Sequence, residues 1–544
     1  MMAAVRGKVC MAGVLLGTLF LAASLTPSLV PRPVAVQGGL SGLSLAAGYG
    51  LGVALRAGWL ALQLPVPGPA LTRRLGLAAG AVCAALAVAA LWMAVVWQNR
   101  LRALMDMPPV ETVRPFTTAL VAVAVFVLIL LLAWAFGAVA RRLRRRFERR
   151  LPTPQAVILG VGLTAALFWS LGDGVLVRGA LMALDASYRQ FDALFEEASP
   201  RPDDPLKAGG PGSLLSWEGL GRAGREMVAA EPDAALIAAR TGAEGAEPLR
   251  VYVGLNSAAD PQARAALALA ELIRMGGFER GHLVINTPTG TGWIDPEGQQ
   301  ALEYLLRGDV ATVAVQYSYL ASWIALLVDP DYGVETARAV FAAIYGHWRA
   351  LPAEERPRLW LHGLSLGSLN SDLSHDLYQV IGDPHDGALW AGPPFNSRTW
   401  RSVTRSRDPD TPAWLPRFRD GEAIRFVGRD GAGRQGGDGA AFRVVYLQYA
   451  SDAVTFFDPA ALWRRPAWME APRGPDVSDD LRWIPVVTFL QLGIDIMMAV
   501  LPPLGHGHTY AFADYLDAWA ELTGAPGWTP EGLEALKAAV DAAR

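Results

Sequence analysis

Pro357-Arg358-Leu359-Trp360-Leu361-His362-Gly363-Leu364-Ser365-Leu366-Gly367-Ser368 decides how this chain is read. Leu359 to His362 form a short apolar run that reads as a buried strand, and it ends in Gly-x-Ser-x-Gly. That pattern is a nucleophile elbow, a sharp strand-to-helix turn in which the flanking positions must be small. The turn would lift the Ser365 hydroxyl above a sheet. It would also aim the Leu366 N–H at the oxygen of an attacked carbonyl. The pentapeptide alone is also compatible with an ordinary Gly/Ser turn. Its surroundings favour the elbow, because a strand precedes it, a helix-compatible run (368–381) comes after it, and partner residues lie downstream.

Around the elbow the pattern alternates strand and helix. Strands are expected at Val251–Val253, His282–Asn286, Val310–Tyr317, Ala388–Ala391 and Phe442–Gln448. Helices are expected at Pro261–Met275, Pro296–Leu306 and Val334–Trp348. Repeated strand–helix units imply a parallel sheet with helices on both faces. Ligands of such sheets bind beyond the carboxyl ends of the strands, where Ser365 is placed.

A serine nucleophile needs a base, and the base needs an orienting acid. Asp452 directly follows an apolar strand and is the expected acid, while Asp458 precedes Pro459 and reads as a helix cap. The base is expected from Leu504-Gly505-His506-Gly507-His508. His508 borders the next helix and is preferred, and His506 remains the alternative. The order Ser, Asp, His suits this elbow. The second oxyanion donor is expected from Thr287-Pro288-Thr289-Gly290, with Thr289 favoured, Thr287 and Gly290 behind it, and Pro288 lacking an N–H. A phosphate cradle is disfavoured there because no Walker lysine follows. His362, His375 and Asp372 lack the spacing of a metal motif, so no metal or cofactor is expected.

Composition supplies a second half. Of 544 residues, 52% are hydrophobic and the mean hydropathy is +0.25, high for a soluble protein. The excess lies before residue 180. Five segments there are long enough to cross a bilayer: Val9–Val30, Leu40–Leu64, Leu75–Trp97, Thr117–Ala140 and Ala156–Val177. Arg56 and Asp173, both within spans, could pair. Arg6 and Lys8, Arg73 and Arg74, and the arginines of 141–150 would share one side of a five-span topology. By the positive-inside rule that side is cytoplasmic. Arg32, Arg100, Arg102 and Arg114 would lie opposite, in company with everything after residue 180. The expected location is a bacterial inner membrane with an extracytoplasmic, in a Gram-negative cell periplasmic, globular part. The Pro-, Asp- and Gly-rich stretch 199–211 reads as a linker, giving domains of 1–180, 181–212 and 213–544. A net charge of −3 gives no argument for nucleic acid. The two cysteines, Cys10 and Cys83, lie in apolar runs, so the globular part has neither disulfide nor cysteine nucleophile.

The chain resembles the bacterial membrane-anchored alpha/beta-hydrolase family, predicted serine hydrolases with an N-terminal multi-span domain. The resemblance rests on Ser24-Leu25-Thr26-Pro27-Ser28-Leu29, Gly48-Tyr49-Gly50-Leu51-Gly52, Thr287-Pro288-Thr289-Gly290-Thr291-Gly292-Trp293, Val315-Gln316-Tyr317-Ser318-Tyr319-Leu320, the elbow and Gly505-His506-Gly507-His508. It implies an alpha/beta-hydrolase fold behind an all-α transmembrane bundle, with Ser365 as nucleophile, Asp452 as acid and a base in the Gly-His-Gly-His segment. It supplies no substrate. Two apolar stretches, Tyr319–Val328 and Ile484–Leu501, could form ordinary core or a greasy rim resting on lipid. The rim reading leads to an esterase or lipase acting on lipophilic esters, with membrane lipids as surroundings. The rival readings are a catalytically silent binding or scaffold module, and a transporter.

Overall fold

The computed structural model describes residues 10–172, 200–319, 333–435 and 443–544. The N-terminal part is helical: α1 (Met11–Ser24), α2 (Val34–Ala61), α3 (Pro69–Ala103), α4 (Pro115–Phe147) and α5 (Thr153–Trp169). The rest alternates: β1 (Leu249–Val253), α6 (Pro261–Arg274), β2 (His282–Thr287), α7 (Pro296–Leu305), β3 (Val310–Val315), α8 (Val334–Ala350), β4 (Arg358–Leu364), α9 (Leu366–Asp372), β5 (Gly387–Ala391), β6 (Ile424–Val427) and β7 (Arg443–Leu447). Three helices close the chain, α10 (Val487–Met498), α11 (Phe512–Thr523) and α12 (Pro530–Asp541).

These elements form two compact units. One holds residues up to 183 with 457–469 and 475–498; the other holds 184–456, 470–474 and 499–544. The chain therefore leaves the second unit after the elbow and β7, and returns to it before the histidines.

Among the described residues of the helical unit, four helices are long and apolar enough to cross a membrane: α2, α3, α4 and the stretch Thr153–Gly172. The first expected span behaves differently. Its helix has only 14 residues, about 21 Å at 1.5 Å per residue, against about 30 Å of hydrocarbon. Pro27, Pro31 and Pro33 explain the early stop, since proline cannot continue a helix interior. The odd span count behind the expected sidedness is therefore not carried by helix lengths. Asp173, with which Arg56 could pair, lies outside the described residues. Glycine lets α1 and α2 touch along their backbones: a Cβ at Gly48 would stand 2.5 Å from the Leu16 carbonyl oxygen, and one at Gly52 2.4 Å from that of Ala12. Close approach through small residues is how helices associate where water supplies no driving force.

Arg32 is not the solvated loop charge expected from sequence. It is buried beside α10, with its Nε 2.9 Å from Asp495 Oδ1. The stretch Ile484–Leu501 thus splits. Val487, Leu492 and Ile496 are buried, whereas Val500 and Leu501 are 67% and 51% exposed. Most of the other apolar stretch, from residue 320 to 328, lies outside the described residues.

The second unit is built on a seven-stranded sheet in the order β1-β3-β2-β4-β5-β7-β6, with every pairing parallel. Side chains alternate between its faces. Val284, Trp360, Leu364, Leu389, Val445 and Leu447 join a core with Tyr515, Leu516 and Trp519 of α11 and Leu533 and Leu536 of α12. Leu283, Ile285, Leu359 and Leu361 point the other way, where α6 and α8 pack, and are equally buried. Each such leucine or isoleucine contributes about 1.5–3 kcal/mol by leaving water. Buried on both faces, β4 is held firmly, which gives the elbow a rigid base.

Candidate active site

The elbow forms where the sequence places it. Ser365 follows β4 and heads α9, with φ 57° and ψ −126°. A non-glycine residue in that region carries strain of about 1–3 kcal/mol, which the surrounding packing must offset. The small neighbours are obligatory. A Cβ at Gly363 would stand 2.4 Å from the carbonyl carbon of Gly367, and one at Gly367 2.2 Å from the Thr287 carbonyl oxygen. Leu366 opens α9, where a backbone N–H has no intrahelical acceptor.

The Thr287–Gly290 loop is a direct neighbour of the elbow, because β2 pairs with β4 and sets Thr287 opposite Gly363. Thr289 does not present its donor as expected. Its N–H and its hydroxyl both donate to the Trp293 carbonyl, at 3.0 and 3.2 Å. Within the same loop the Gly292 N–H donates to the Thr289 carbonyl at 2.9 Å.

Asp452 is fully buried five residues beyond β7. Its Oδ1 accepts from the Val454 N–H at 2.8 Å, and its Oδ2 accepts from Thr455 Oγ1 at 3.1 Å and Tyr510 Oη at 2.6 Å. His508 Nδ1 lies 2.7 Å from the same Oδ2. Asp458 instead caps a short turn, accepting from the Ala460 N–H at 2.8 Å. The two histidines part company here. His506 Nε2 meets the Arg429 guanidinium, whereas His508 meets the carboxylate. His508 Nε2 is buried and makes no hydrogen bond among the described residues.

Ser365 and His508 flank the same two-residue step at the end of β5, Ala391–Gly392. The Ser365 N–H donates to the Ala391 carbonyl at 3.0 Å. The next residue, Gly392, has φ +49°, and a Cβ there would stand 2.5 Å from His508 Cε1. Glycine at 392 thus makes room for the imidazole beside the elbow.

Three contributors escaped sequence reading. Tyr510 adds a hydroxyl donor to Asp452; burial, reinforced by the Asp452 charge, holds its phenol well above the usual range, so it stays a donor. Its signal was its place two residues after His508. Thr455 adds another donor, through the short-range loop that Asp452 heads. Asp295 is a buried carboxyl that accepts from the Glu297 N–H at 3.1 Å and from Tyr515 Oη at 3.0 Å. Burial pushes it up to about 7, and a charge on His508 would draw it down. His362, on β4, bonds through Nδ1 to the Leu389 carbonyl at 2.8 Å, and burial holds its ring down to about 4. It is a neutral core residue. Among the described residues, no three His, Cys, Asp or Glu side chains gather as a metal site.

The chain, with its elbow on a parallel sheet, an acid in the loop beyond the last strand and a histidine before a closing helix, matches the alpha/beta-hydrolase family over residues 249–536. The N-terminal region of that family matches over residues 25–232. The chain belongs to the alpha/beta-hydrolase family. This member carries several long apolar helices ahead of its hydrolase fold, consistent with a membrane anchor, and they suggest a multi-pass membrane protein. No curated protein and no solved structure matches the chain.

Proposed function

We propose that this alpha/beta-hydrolase is a membrane-held serine hydrolase that cleaves carboxylic esters of lipophilic character. The observation that supports this most is the step Ala391–Gly392, flanked on one side by Ser365 and on the other by the His508–Asp452 pair. In this reading His508 Nε2 takes the Ser365 Oγ proton as Oγ attacks the ester carbonyl. Asp452 holds the imidazole through Nδ1 and stabilises its positive charge. The Leu366 N–H receives the oxyanion, and a donor of that kind is worth about 3 kcal/mol. The same imidazole protonates the leaving alcohol. Water, deprotonated by His508, then releases the acid and restores Ser365. No cofactor takes part. The exposed Val500, Leu501 and Leu504, just before the histidines, favour an apolar substrate. The preferred sidedness, extracytoplasmic, is a further part of the proposal; a protease added outside intact spheroplasts should cut the 200–212 loop.

One observation favours a second reading, a silent hydrolase-fold module that binds without turnover. Thr289 spends both its donors on Trp293, so Thr289 would have to swing free to serve as the second oxyanion donor. Purified full-length protein assayed against acyl esters of rising chain length separates the two. Turnover that increases with chain length supports the hydrolase; a folded protein that binds long-chain esters without cleaving any supports the silent module.

A further inference from the structure

Around His508 the sheet unit buries three tyrosines, and each gives its hydroxyl to a different carboxyl group. Tyr510 Oη donates to Asp452 Oδ2 at 2.6 Å, Tyr515 Oη to Asp295 Oδ2 at 3.0 Å, and Tyr449 Oη to Asp514 Oδ2. The rings pack on one another. Tyr510 stacks on Tyr449 with centroids 4.4 Å apart, lies 6.1 Å from Tyr515 and stands edge-on to His508 at 5.9 Å. None of the three tyrosines is more than 1% exposed. Burial, and then the neighbouring carboxyl group, holds each phenol well above its usual range, so all three remain donors.

Asp452 already serves His508, but Asp295 and Asp514 have no task in the hydrolytic cycle. A buried carboxylate is costly without a cation. Asp517 and Glu521, also on α11, meet the guanidinium groups of Arg434 and Arg425. Among the described residues, Asp295 has instead the Tyr515 hydroxyl and the Glu297 N–H, and Asp514 has the Tyr449 hydroxyl and the Asp430 N–H. Burial pushes Asp295 up to about 7 and Asp514 up to about 6. The two differ in what they feel. A charge on His508 attracts that of Asp295, whereas Asp514 answers to Tyr449, Asp430 and Asp517. From Asp295 to the imidazole the way leads over the buried rings of Tyr515 and Tyr510, which screen a charge far less than water does.

The other titratable groups facing Asp295 are engaged or neutral. Glu297, on α7, pairs with Arg544. His362, on β4, stands edge-on to Tyr515 at 5.9 Å and is kept neutral by burial. Tyr449, Tyr510 and Tyr515 keep their protons, and Asp514 is tied to Tyr449.

We propose that Asp295 is a second counter-charge for His508, a positioning residue that steadies the imidazolium formed as Ser365 attacks. It touches no substrate and acts through the imidazole alone. It does so once its own proton has gone to solvent as pH rises. This role presupposes the serine-hydrolase reading of Ser365, His508 and Asp452.

The test reacts full-length protein in detergent with a fluorophosphonate across pH, with rates normalised to the folded fraction. Asp295→Asn removes the ionisation and keeps the cap of α7, since asparagine caps a helix as well as aspartate does. Tyr515→Phe keeps the carboxyl group but takes away a donor that favours its charged form. Folded Asp295→Asn should react about fivefold more slowly than wild type above about pH 8, with the gap narrowing below about pH 6, where wild-type Asp295 holds its proton. Folded Tyr515→Phe should gain over Asp295→Asn in the same way, but about one pH unit higher. A deficit in Asp295→Asn that is equal at every pH, the mark of a merely structural role, overturns the proposal, as does the absence of any deficit. A Tyr515→Phe profile that coincides with that of wild type overturns it too. Should Asp295→Asn fail to fold, Tyr515→Phe decides alone. A folded wild type that does not react overturns the hydrolase reading itself, which is a different failure from a reactive wild type with unaffected variants.

Discussion

Replacing Gly392 by alanine puts a carbon where the His508 ring now stands. The new Cβ would be 2.5 Å from His508 Cε1 and 2.9 Å from Nδ1. Carbon atoms rest at about 3.5 Å or more, so the ring must retreat by about 1 Å. Its Nδ1 is tied to Asp452 at 2.7 Å, so the retreat tilts the imidazole and moves Nε2 relative to Ser365. A misplacement of that size costs on the order of 100-fold in rate. The backbone adds strain, since φ is +49° at this glycine, worth about 1–2 kcal/mol for an alanine. That is small against a typical domain stability of about 5–15 kcal/mol, so the protein should still fold. The assay is steady-state hydrolysis of a long-chain ester alongside a thermal melt. The expected outcome is kcat/KM down about 100-fold with a melting temperature lowered by a few degrees. A folded Gly392→Ala protein with wild-type kcat/KM would refute the claim that His508 works beside this step.

Three further outcomes are expected. Asp452→Asn should lower kcat on the order of 10⁴-fold while KM stays within a fewfold, because the imidazole loses the partner that fixes its tautomer; ester kinetics check it. Tyr510→Phe removes one of the donors to Asp452, a bond to a charged group worth about 1.5–3 kcal/mol, so kcat/KM should drop roughly tenfold or more with a shifted pH–rate profile. The His362 ring, held down to about 4 from an ordinary 6.5 by burial, contributes stability that is present above pH 6.5 and lost as pH falls towards 4. That contribution is about 3 kcal/mol. His362→Asn should therefore flatten the acid limb of a plot of melting temperature against pH, and parallel plots for the two proteins would sink the assignment.

The sequence carried the sheet and elbow because both are local. Strand–helix alternation and Gly363–Gly367 need no distant partner, and Asp452 stood out because it comes directly after the apolar run 444–451 that holds β7. The edge strand β6 went unread because Ile424 and Arg425 are only half buried, leaving four residues with a weak pattern. Hydropathy overstated the first span because it counts apolar side chains and overlooks the prolines that stop α1. Arg32 looked like a topology charge because its partner, Asp495, is 463 residues away. The choice between His506 and His508 needed space too: both sit in one Gly-His-Gly-His run, and only coordinates turn one towards Arg429 and the other towards Asp452. Thr289 misled for a related reason, since no sequence pattern tells that a turn will close on Trp293.

The most direct measurement is to treat the full-length protein with a fluorophosphonate and locate the adduct by mass spectrometry of its peptides. A single phosphonylated residue, Ser365, is expected, with no adduct in folded Ser365→Ala. An adduct elsewhere, or none on a folded wild type, would contradict the serine-hydrolase reading.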